Sequence, residues 1–433
     1  MDKNRHLILA FCMVSTLGCS LVSALQGQQT LPTLVEITRI PAEAATPLTL
    51  EPAESQSTQE LVPAVNSSPA SPTTRVVAIH ANSNISLAID DQGRVWQWGS
   101  YQVGPNNSPC SSGDACLLTP SLVPNLSDVV AVSAGFEHRM ALKGDGTLWG
   151  WGQNDVYQLG LGYGDDEYHD EAQPVPGMTD VVAVSAGGNF TLALKKDGTV
   201  WAWGKDNAGQ LGNGMNSYTP GYALRQESPG QVVDLTGVAA IDTGWHHGIA
   251  LRNDGTVWTW GFNQFGELGL GGADTDQHPT PIQVPGLTHV TAIGGGFTNS
   301  ISKKEDGSVW IWGGNLGGQL DPSNLGTAQS FPNPLAVEAF SDAVQVDASS
   351  TQLVALKADG TVWIFGFGEI GSQIPFQQGQ TTLKDILAIS CAEDHMLALD
   401  QSGVVWAWGN NDVGQLGNGT TQSASSPQPV LFP

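Results

Sequence analysis

Positive charge is scarce in this chain of 433 residues, which contains 16 Lys and Arg against 41 Asp and Glu and has a formal net charge of −25. Nucleic acids and anionic membranes attract basic surfaces, so the charge argues against both as direct partners. Charged residues of either sign make up only 13% of the chain, whereas Gly numbers 53 and Trp 14. This composition does not suit a coiled coil or a helix bundle and favours short strands joined by tight turns.

The N-terminal apolar run is too short to span a bilayer comfortably. It extends from Leu7 to Leu17 after a polar start, which fits the core of a signal peptide, so we predict an export signal over residues 1–24. Val22-Ser23-Ala24 has the small-residue pattern that a signal peptidase cuts after. Alternatively, Leu17-Gly18-Cys19 resembles the end of a bacterial lipoprotein box, in which Cys19 would carry a lipid. Both alternatives stay open, and either predicts a secreted or envelope-anchored bacterial protein.

The segment that follows has no sustained apolar period. Residues 25–74 are rich in Pro, Thr, Ser, Ala, Gln and Glu, and such a segment cannot bury enough surface to offset its ordering entropy. We therefore predict a disordered linker over residues 25–74 and a folded domain over residues 75–433.

Cysteine is rare, with five in the chain. Cys110 and Cys116 bracket a polar run, and in an exported protein this spacing predicts a local disulfide. A metal site would need further ligands, and the run offers Asp114 alone. Cys391 replaces a small residue in a repeated motif and is expected to be a buried free thiol.

One unit recurs seven times in the folded part. Each copy contains a Gly followed by an apolar and aromatic strand, as in the segment from Asp145 to Gly152. The first glycines of the copies are Gly93, Gly146, Gly198, Gly255, Gly307, Gly360 and Gly403. Asp-Gly is typical of a two-residue hairpin turn, and Val-Trp-x-Trp places both indoles on one strand face. Thirteen of the 14 tryptophans occupy these positions, so we predict that they pack each sheet against the next.

Each copy supplies about four strands, because another strand precedes the hairpin and a Pro-x-x-Val strand follows it. Seven such units predict an all-β, seven-bladed β-propeller with four-stranded blades. The first unit begins at Val76 without a Pro-x-x-Val strand, and residues Pro427–Val430 have that pattern. We therefore predict that the C-terminal strand pairs into the first blade and closes the ring.

These motifs resemble the regulator of chromosome condensation repeat family over about residues 75–433. The family repeat combines an Ala-Gly-x-x-His-x-x-Ala-Leu strand, seen at residues 134–142, with a Trp-Gly hairpin and a Gly-Gln-Leu-Gly turn, seen at residues 414–417. Its eukaryotic founder is a nuclear guanine-nucleotide exchange factor that docks on chromatin, a role that the export signal and negative charge oppose. Exported bacterial propellers of this type, including β-lactamase-inhibitor proteins, are similar in charge and repeat content. The resemblance implies a protein-binding module, with enzyme inhibition as one form of it.

The sequence offers no catalytic constellation. It contains no His-Glu-x-x-His, no Gly-x-Ser-x-Gly and no phosphate-binding loop, so we expect no enzyme activity, metal or cofactor. The acidic stretch from Asp165 to Glu171 lacks the spacing of a calcium loop. His138, His247 and His395 hold one repeat position that Ile85, Phe190, Asn299 and Gln352 hold in the other copies. A position open to such replacements is a structural one.

The two residues after each Ala-Gly-type turn vary most between copies and should gather around one mouth of the channel. From them we predict partner-binding residues: Phe136, Glu137, Asn189, Trp245, His246, Phe297, Glu393 and Asp394. Exposed aromatics ringed by polar groups are typical of interaction hot spots. The alternative is that these aromatics only plug the channel.

A second set, Tyr101, Tyr157, Phe262, Phe265 and Phe367, either widens the binding face or packs between blades. We expect a protein partner and a monomer. The other functional class is a channel-mouth hydrolase or lyase, for which Glu137, Glu393 and Asp394 are the only candidates.

Overall fold

The computed structural model describes residues 74–100, 116–316, 330–349, 351–366 and 379–433. These residues form seven four-stranded antiparallel sheets, which confirms the predicted seven-bladed propeller. Among the described residues, a 3₁₀ turn, Glu338–Phe340, precedes the sixth blade. In the described part of the chain, no helix is long and apolar enough to cross a membrane.

Each blade consists of four strands that are consecutive in sequence and in space. In blades 1 to 4 the strands are β1 (Val76–Asn82), β2 (Ile85–Asp90), β3 (Val95–Ser100), β4 (Cys116–Leu122); β5 (Val129–Ala134), β6 (His138–Lys143), β7 (Leu148–Gln153), β8 (Tyr168–Pro174); β9 (Val181–Ala186), β10 (Phe190–Lys195), β11 (Val200–Lys205), β12 (Arg225–Gln231); β13 (Val238–Thr243), β14 (His247–Arg252), β15 (Val257–Gly261) and β16 (His278–Gln283). In blades 5 to 7 they are β17 (Val290–Gly295), β18 (Asn299–Lys304), β19 (Val309–Gly314), β20 (Ser330–Ala336); β21 (Ala343–Ala348), β22 (Gln352–Lys357), β23 (Val362–Gly366), β24 (Gly379–Gln380); β25 (Ile386–Cys391), β26 (His395–Asp400), β27 (Val405–Gly409) and β28 (Ala424–Pro429).

The prediction that the C-terminal strand pairs into the first blade is wrong. β28 pairs with β27 of its own blade, with Trp406 opposite Pro429. Blade 1 is completed by its own β4, with Trp96 opposite Leu122. The fourth strand follows the hairpin within each repeat, so every blade is contiguous in sequence, and none of the described strands is left over.

Side chains close the ring instead. Blade 7 and blade 1 share one apolar cluster that contains Trp98, Leu397 and Val430. Phe432, beyond the last strand, meets the rings of Trp96 and Trp98 edge-on, each with centroids 5.7 Å apart. The C-terminus therefore does reach blade 1, but by packing on its indoles and not by adding a strand.

The apolar core is divided among the interfaces between blades. Each cluster joins two neighbours, as Leu192 and Val232 of blade 3 join Trp260 of blade 4. The second indole of a pair is fully buried, and that of Trp260 donates from Nε1 to the carbonyl of Gln210 at 2.9 Å. Gly212 leaves room for this indole, because a Cβ there would lie 2.9 Å from Trp260 Nε1. The predicted packing role of the tryptophans is confirmed.

A belt of polar side chains links the inner strands. The residue before the last one of an inner strand, or His80 in the longer β1, accepts a hydrogen bond from an amide of the next blade. The acceptor and donor atoms are His80 Nε2 and Ala134 N (3.0 Å), Ser133 Oγ and Ala186 N (3.0 Å), Asp242 Oδ2 and Gly295 N (3.2 Å), Asp347 Oδ2 and Cys391 N (2.9 Å), and Ser390 Oγ and Ala81 N (2.9 Å). In blade 5 this position is Gly294, which has no side chain to contribute. The joint between blades 5 and 6 therefore lacks this link.

Candidate functional site

The first turn of each blade and the long loop between its third and fourth strands lie at the same end of the ring. Backbone hydrogen bonds join them, from Gln153 N to Glu137 O (2.8 Å) and from Phe262 N to His246 O (3.0 Å). We call this end the mouth face. The hairpins with Asp-Gly turns occupy the opposite end, which we call the hairpin face. The predicted clustering of the variable residue pairs at one end is therefore what the strand directions produce.

Aromatic rings from blades 2, 4 and 5 meet at the mouth face. Trp245 is central: its ring centroid lies 5.2 Å from that of Phe136, 5.0 Å from that of Phe297 and 5.8 Å from that of His246. The ring of Phe262 lies 6.0 Å from that of His246. We call these five residues the mouth aromatic cluster. Offset and edge-on pairs at these distances each contribute about 1 kcal/mol beyond their buried area.

The turns that hold these rings are connected by a run of backbone hydrogen bonds. Phe136 N donates to Gly188 O (2.9 Å), Gly188 N to Trp245 O (3.2 Å), and Trp245 N to Phe297 O (3.3 Å). Gly188 allows the contact between blades 2 and 4, because a Cβ there would lie 2.9 Å from Cδ2 of the Trp245 indole. The cluster is thus built on four consecutive turns that fix one another.

The cluster is half-buried rather than fully exposed. Phe136, Trp245, His246 and Phe297 each keep part of their surface accessible, because each ring covers a neighbour. Burial, and secondarily the charge of Lys205, lower the pKa of His246 to about 4. The imidazole is therefore neutral near pH 7 and presents an uncharged ring beside the indole.

The polar residues predicted for the mouth occupy equivalent turns but do not join the aromatic cluster in any described contact. Glu393 is buried and Asp394 half-buried, and Asp394 Oδ2 accepts from Asn410 Nδ2 at 2.9 Å. Asn189 and Glu137 are half-buried. Burial, and then the charge of Asp155, raise the pKa of Glu137. Closure of the ring leaves only blade 1 between Glu137 and the blade 7 pair, although they are remote in sequence.

The three repeat histidines are structural, as predicted. His138 Nε2 lies 2.9 Å from Thr191 Oγ1 of the next blade, and Thr191 donates its hydroxyl hydrogen to Gln158 O. His138 must therefore donate from Nε2. The same series of hydrogen bonds runs from His247 through Ser300 Oγ to Glu267 O. It also runs from His395 through Ser86 Oγ to Gln415 O. Burial lowers the pKa values of His138 and His247 to about 3, so both are neutral at pH 7.

The structure separates the second aromatic set. Phe262 joins the mouth aromatic cluster, whereas Tyr157 packs between blades beneath the guanidinium of Arg225, whose Cζ lies 4.9 Å from the ring centroid. Phe265 is half-buried. Tyr101 and Phe367 lie outside the described residues.

The two faces differ in the charged residues of their loops. The sequence alone does not reveal this difference, because each loop must first be assigned to a face. No Lys or Arg occurs in any described turn or loop of the mouth face. The same loops carry exposed acidic residues: Asp155, Asp166, Glu167, Asp276 and Asp412. On the hairpin face, Lys143, Lys195, Arg252, Lys304 and Lys357 lie over the first indole of their blades. The hairpin face also carries exposed acidic residues, among them Asp91 and Asp145, and Lys205 and Arg225 border the mouth face at the ends of β11 and β12. The described loops of the mouth face are therefore acidic, whereas the hairpin face is mixed in sign.

The repeat pattern also does not single out Tyr218, a highly exposed aromatic residue. It lies in the mouth-face loop of blade 3, which contains the longest interval between repeats, and it is 88% exposed. Its backbone is held rather than loose, because Tyr218 N donates to Asn216 Oδ1 (3.0 Å) and Ser217 N to Gln277 Oε1 (2.8 Å) of blade 4. A rigid loop thus presents a free phenol ring on the acidic face.

Several predictions fall outside the described residues. Cys19 and Cys110 belong to this group, so lipidation and the Cys110–Cys116 disulfide stay predictions; Cys116 begins β4. Cys391 is a buried free thiol, as expected, and burial followed by the charge of Asp347 raises its pKa. Among residues 74–100, 116–316, 330–349, 351–366 and 379–433, no group of three or more His, Cys, Asp or Glu could hold a metal ion.

Comparison with known proteins agrees with the repeat pattern. The family model for the RCC1-like domain matches residues 13–338, and two models for the regulator of chromosome condensation repeat match residues 402–433 and 386–415. The chain is 29% identical over 285 residues to the ultraviolet-B receptor UVR8 of Arabidopsis thaliana, covering 64% of this chain and 60% of the receptor. It is 30% identical over 274 residues to the human E3 ubiquitin-protein ligase HERC2, covering 61% of this chain and 5% of the ligase. The chain therefore spans at most about 60% of the length of these two relatives.

Solved structures share the fold. Human WBSCR16 superposes with a TM-score of 0.65 at 23% identity, covering 78% of this chain and 94% of that one. The structure of Kap60 bound to yeast RCC1 (Prp20) matches with a TM-score of 0.55 at 22% identity, covering 82% of this chain and 75% of that one. With the matching family model extending over most of the sequence, this chain belongs to the RCC1-like domain family.

Proposed function

We propose that this chain is an exported protein-binding module whose mouth face docks a partner with a cationic surface. The observation that carries the proposal is the mouth aromatic cluster, which is half-accessible and held by hydrogen bonds between four turns. Preorganised aromatics of this kind lose little entropy on binding and form the anchors of many interfaces. Inhibition of an enzyme is one form that such docking takes, and the resemblance to exported inhibitor propellers favours it.

The charge of the mouth face determines the chemistry of the partner. Its loops carry Asp and Glu without Lys or Arg, so a basic surface gains favourable long-range steering while an acidic one is repelled. The hydrolase or lyase alternative is weaker, because Glu137 lies in the first turn of blade 2 and Glu393 and Asp394 lie in that of blade 7, with blade 1 between them. Among relatives of the fold, yeast RCC1 (Prp20) is seen with a protein partner, Kap60, which is compatible with a binding role.

The aromatic part of the proposal is tested by the double variant Trp245→Ala/Phe297→Ala, with binding measured by capture from envelope proteins. We expect loss of capture, because truncating a hot-spot aromatic costs about 2 kcal/mol or more. Leu122→Ala/Leu335→Ala is the matched control, since both leucines are partly exposed on outer strands. Capture that survives in the mouth variant, or a loss equal in both variants, would contradict the assignment of the site.

The charge part has its own pair of variants. Asp166→Lys/Asp276→Lys/Asp412→Lys reverses three exposed mouth-face carboxylates on blades 2, 4 and 7, and Asp91→Lys/Glu305→Lys/Glu338→Lys makes the same change in net charge on the hairpin face. We expect the first triple variant to slow association and to weaken its salt dependence, and the second to leave both nearly unchanged. Equal effects of the two variants would show that only net charge matters.

A further inference from the structure

Every inner strand contains a β-bulge at its second residue. The register shifts between Val76 and Ala78 in blade 1 and between Val129 and Ala131 in blade 2, so that one residue is left out of the ladder. The same shift recurs in the inner strands of blades 3 to 7. A bulge leaves its extra residue out of the hydrogen-bonded ladder and bends the strand. Because the inner strands begin at the hairpin face, seven bulged residues surround the channel opening there.

Five of these residues are large, apolar and about half exposed, namely Val344 (52%), Leu387 (56%), Val77 (51%), Val130 (60%) and Val182 (46%). They belong to blades 6, 7, 1, 2 and 3, which are contiguous once the ring closes. Blades 4 and 5 carry Ala239 and Thr291 at the same position. We call the five residues the apolar arc.

The fold does not require apolar side chains at these positions. Thr291 has the branched shape of Val and occupies the same bulge in blade 5, so a polar residue is compatible with it. The residues on either side of the bulge face inward and supply the core, as Val129 does beside Val130. A contiguous group of exposed apolar residues on a soluble protein marks a contact surface.

We propose that the apolar arc is a self-association surface, through which two copies of this chain meet hairpin face to hairpin face. Charge favours a second copy as the occupant. Around the arc, Lys143 and Lys196 alternate with Asp145 and Asp180, and all four line one groove with Val130 and Val182. In this groove between blades 2 and 3 both signs of charge lie beside the apolar side chains, so a twofold axis can place Lys of one copy opposite Asp of the other while covering Val130 and Val182. The described loops of the mouth face carry Asp and Glu without Lys or Arg, so two mouth faces would repel each other.

The size of the arc sets the expected strength. Five half-exposed side chains form a patch of a few hundred Å², the range in which surface patches are often functional. Interfaces below about 1,200 Å² in total are weak and transient. The proposal therefore predicts a reversible dimer at high concentration in place of the monomer expected from the sequence, and dimerisation leaves both mouth faces free.

Dimerisation through the apolar arc is tested by sedimentation velocity of the purified chain at concentrations between about 1 µM and 1 mM. This range covers association free energies of about −8 to −4 kcal/mol. We expect the sedimentation coefficient of the wild type to rise reversibly with concentration. Val130→Asp/Val182→Asp should keep the chain monomeric throughout. Leu122→Asp/Leu335→Asp, which places the same charges on exposed outer-strand positions, should dimerise like the wild type.

The milder variant Val130→Thr/Val182→Thr keeps the branched shape found in blade 5 and guards against misfolding of the Asp variant. We expect it to weaken dimerisation by at least tenfold with an unchanged melting temperature. A wild type that stays monomeric to about 1 mM, or a Thr variant that dimerises as well as the wild type, would overturn the proposal. The Asp166→Lys/Asp276→Lys/Asp412→Lys variant should still dimerise, which separates this surface from the proposed partner site.

Discussion

Glu267 is an acidic residue in a position that other blades fill with glutamine, and replacing it with Gln should stabilise the protein in a pH-dependent way. In blades 2, 3 and 7 the equivalent residues are Gln158, Gln210 and Gln415, whose side-chain oxygens each accept a hydrogen bond from the amide two residues earlier. Glu267 Oε2 makes the same bond with Phe265 N at 2.7 Å. Glu267→Gln therefore keeps the acceptor and removes only the ionisable group.

The size of the effect follows from the pKa. Glu267 is 1% exposed, and burial raises its pKa from 4.5 to about 8. A raised pKa in the folded state gives stability that is complete below pH 4.5 and is lost as the pH rises towards 8. Each unit corresponds to 1.36 kcal/mol, so the wild type loses about 3 kcal/mol by pH 7 and about 5 kcal/mol above pH 8. The Glu267→Gln variant has no ionisable group at this position, so it does not lose this stability as the pH rises.

Urea denaturation at pH 4.5, 7 and 8.5 measures the difference between the two proteins. We expect nearly equal stability at the lowest pH, and a gap of about 3 kcal/mol at pH 7 that stops growing above pH 8. Gln210→Glu is the mirror control, since it should introduce the same penalty in blade 3. A gap that is constant with pH would show that Glu267 is not forced to hold a proton in the fold.

Three further predictions concern the joints between blades. Gly294→Ser should stabilise the ring by about 1 kcal/mol in thermal denaturation, because the new hydroxyl can donate to Asp347 as Ser185 Oγ donates to Asp242 Oδ1 at 2.7 Å; no gain would mean that the belt contributes little. Phe432→Ala should lower stability by about 3 kcal/mol in urea, since Phe432 packs on two indoles at the closing joint, and an effect below 0.5 kcal/mol would contradict that role. The pKa of His138 is about 3 in the fold and 6.5 when unfolded, so neutral His138 favours folding above pH 6.5 and that stability is lost on acidification. His138→Gln, the residue of blade 6, should flatten the decline between pH 6 and 4 by about 1 kcal/mol per unit, measured by denaturation in that range, and an unchanged slope would refute it.

The sequence predicts the blades well because their signals are local. Asp145-Gly146 lies in the expected hairpin, although the turn is longer than the predicted two residues: Gly146 N donates to Lys143 O, Lys143 N donates to Thr147 O, and Gly146 but not Asp145 has a positive φ (81°). Trp151 is fully buried against the preceding blade. The closing joint was predicted wrongly because the pattern at Pro427–Val430 does not reveal which neighbouring strand it joins. Only the pairing of β28 with β27 shows that a blade equals one repeat.

The sequence singles out members of the mouth aromatic cluster but does not reveal their geometry, and their role in binding stays a proposal. Phe136, Trp245 and Phe297 stand out because large aromatics replace small residues in a turn. Their mutual contact depends on Gly188, and the role of that residue is visible only when the turns are assembled. The apolar arc escaped notice because Val130 or Val182 at the start of a strand is indistinguishable from a core residue until the bulge exposes it.

The contiguous blades have a consequence for how such a ring can change in evolution. Blade 7 meets blade 1 through a buried Trp98 and the Ser390-to-Ala81 link, the same kinds of contact found at other joints. Duplication or deletion of one repeat in the gene would therefore add or remove a complete blade and leave no strand without its sheet. By the same reasoning, a circular permutation that opens another link between blades would preserve every described sheet.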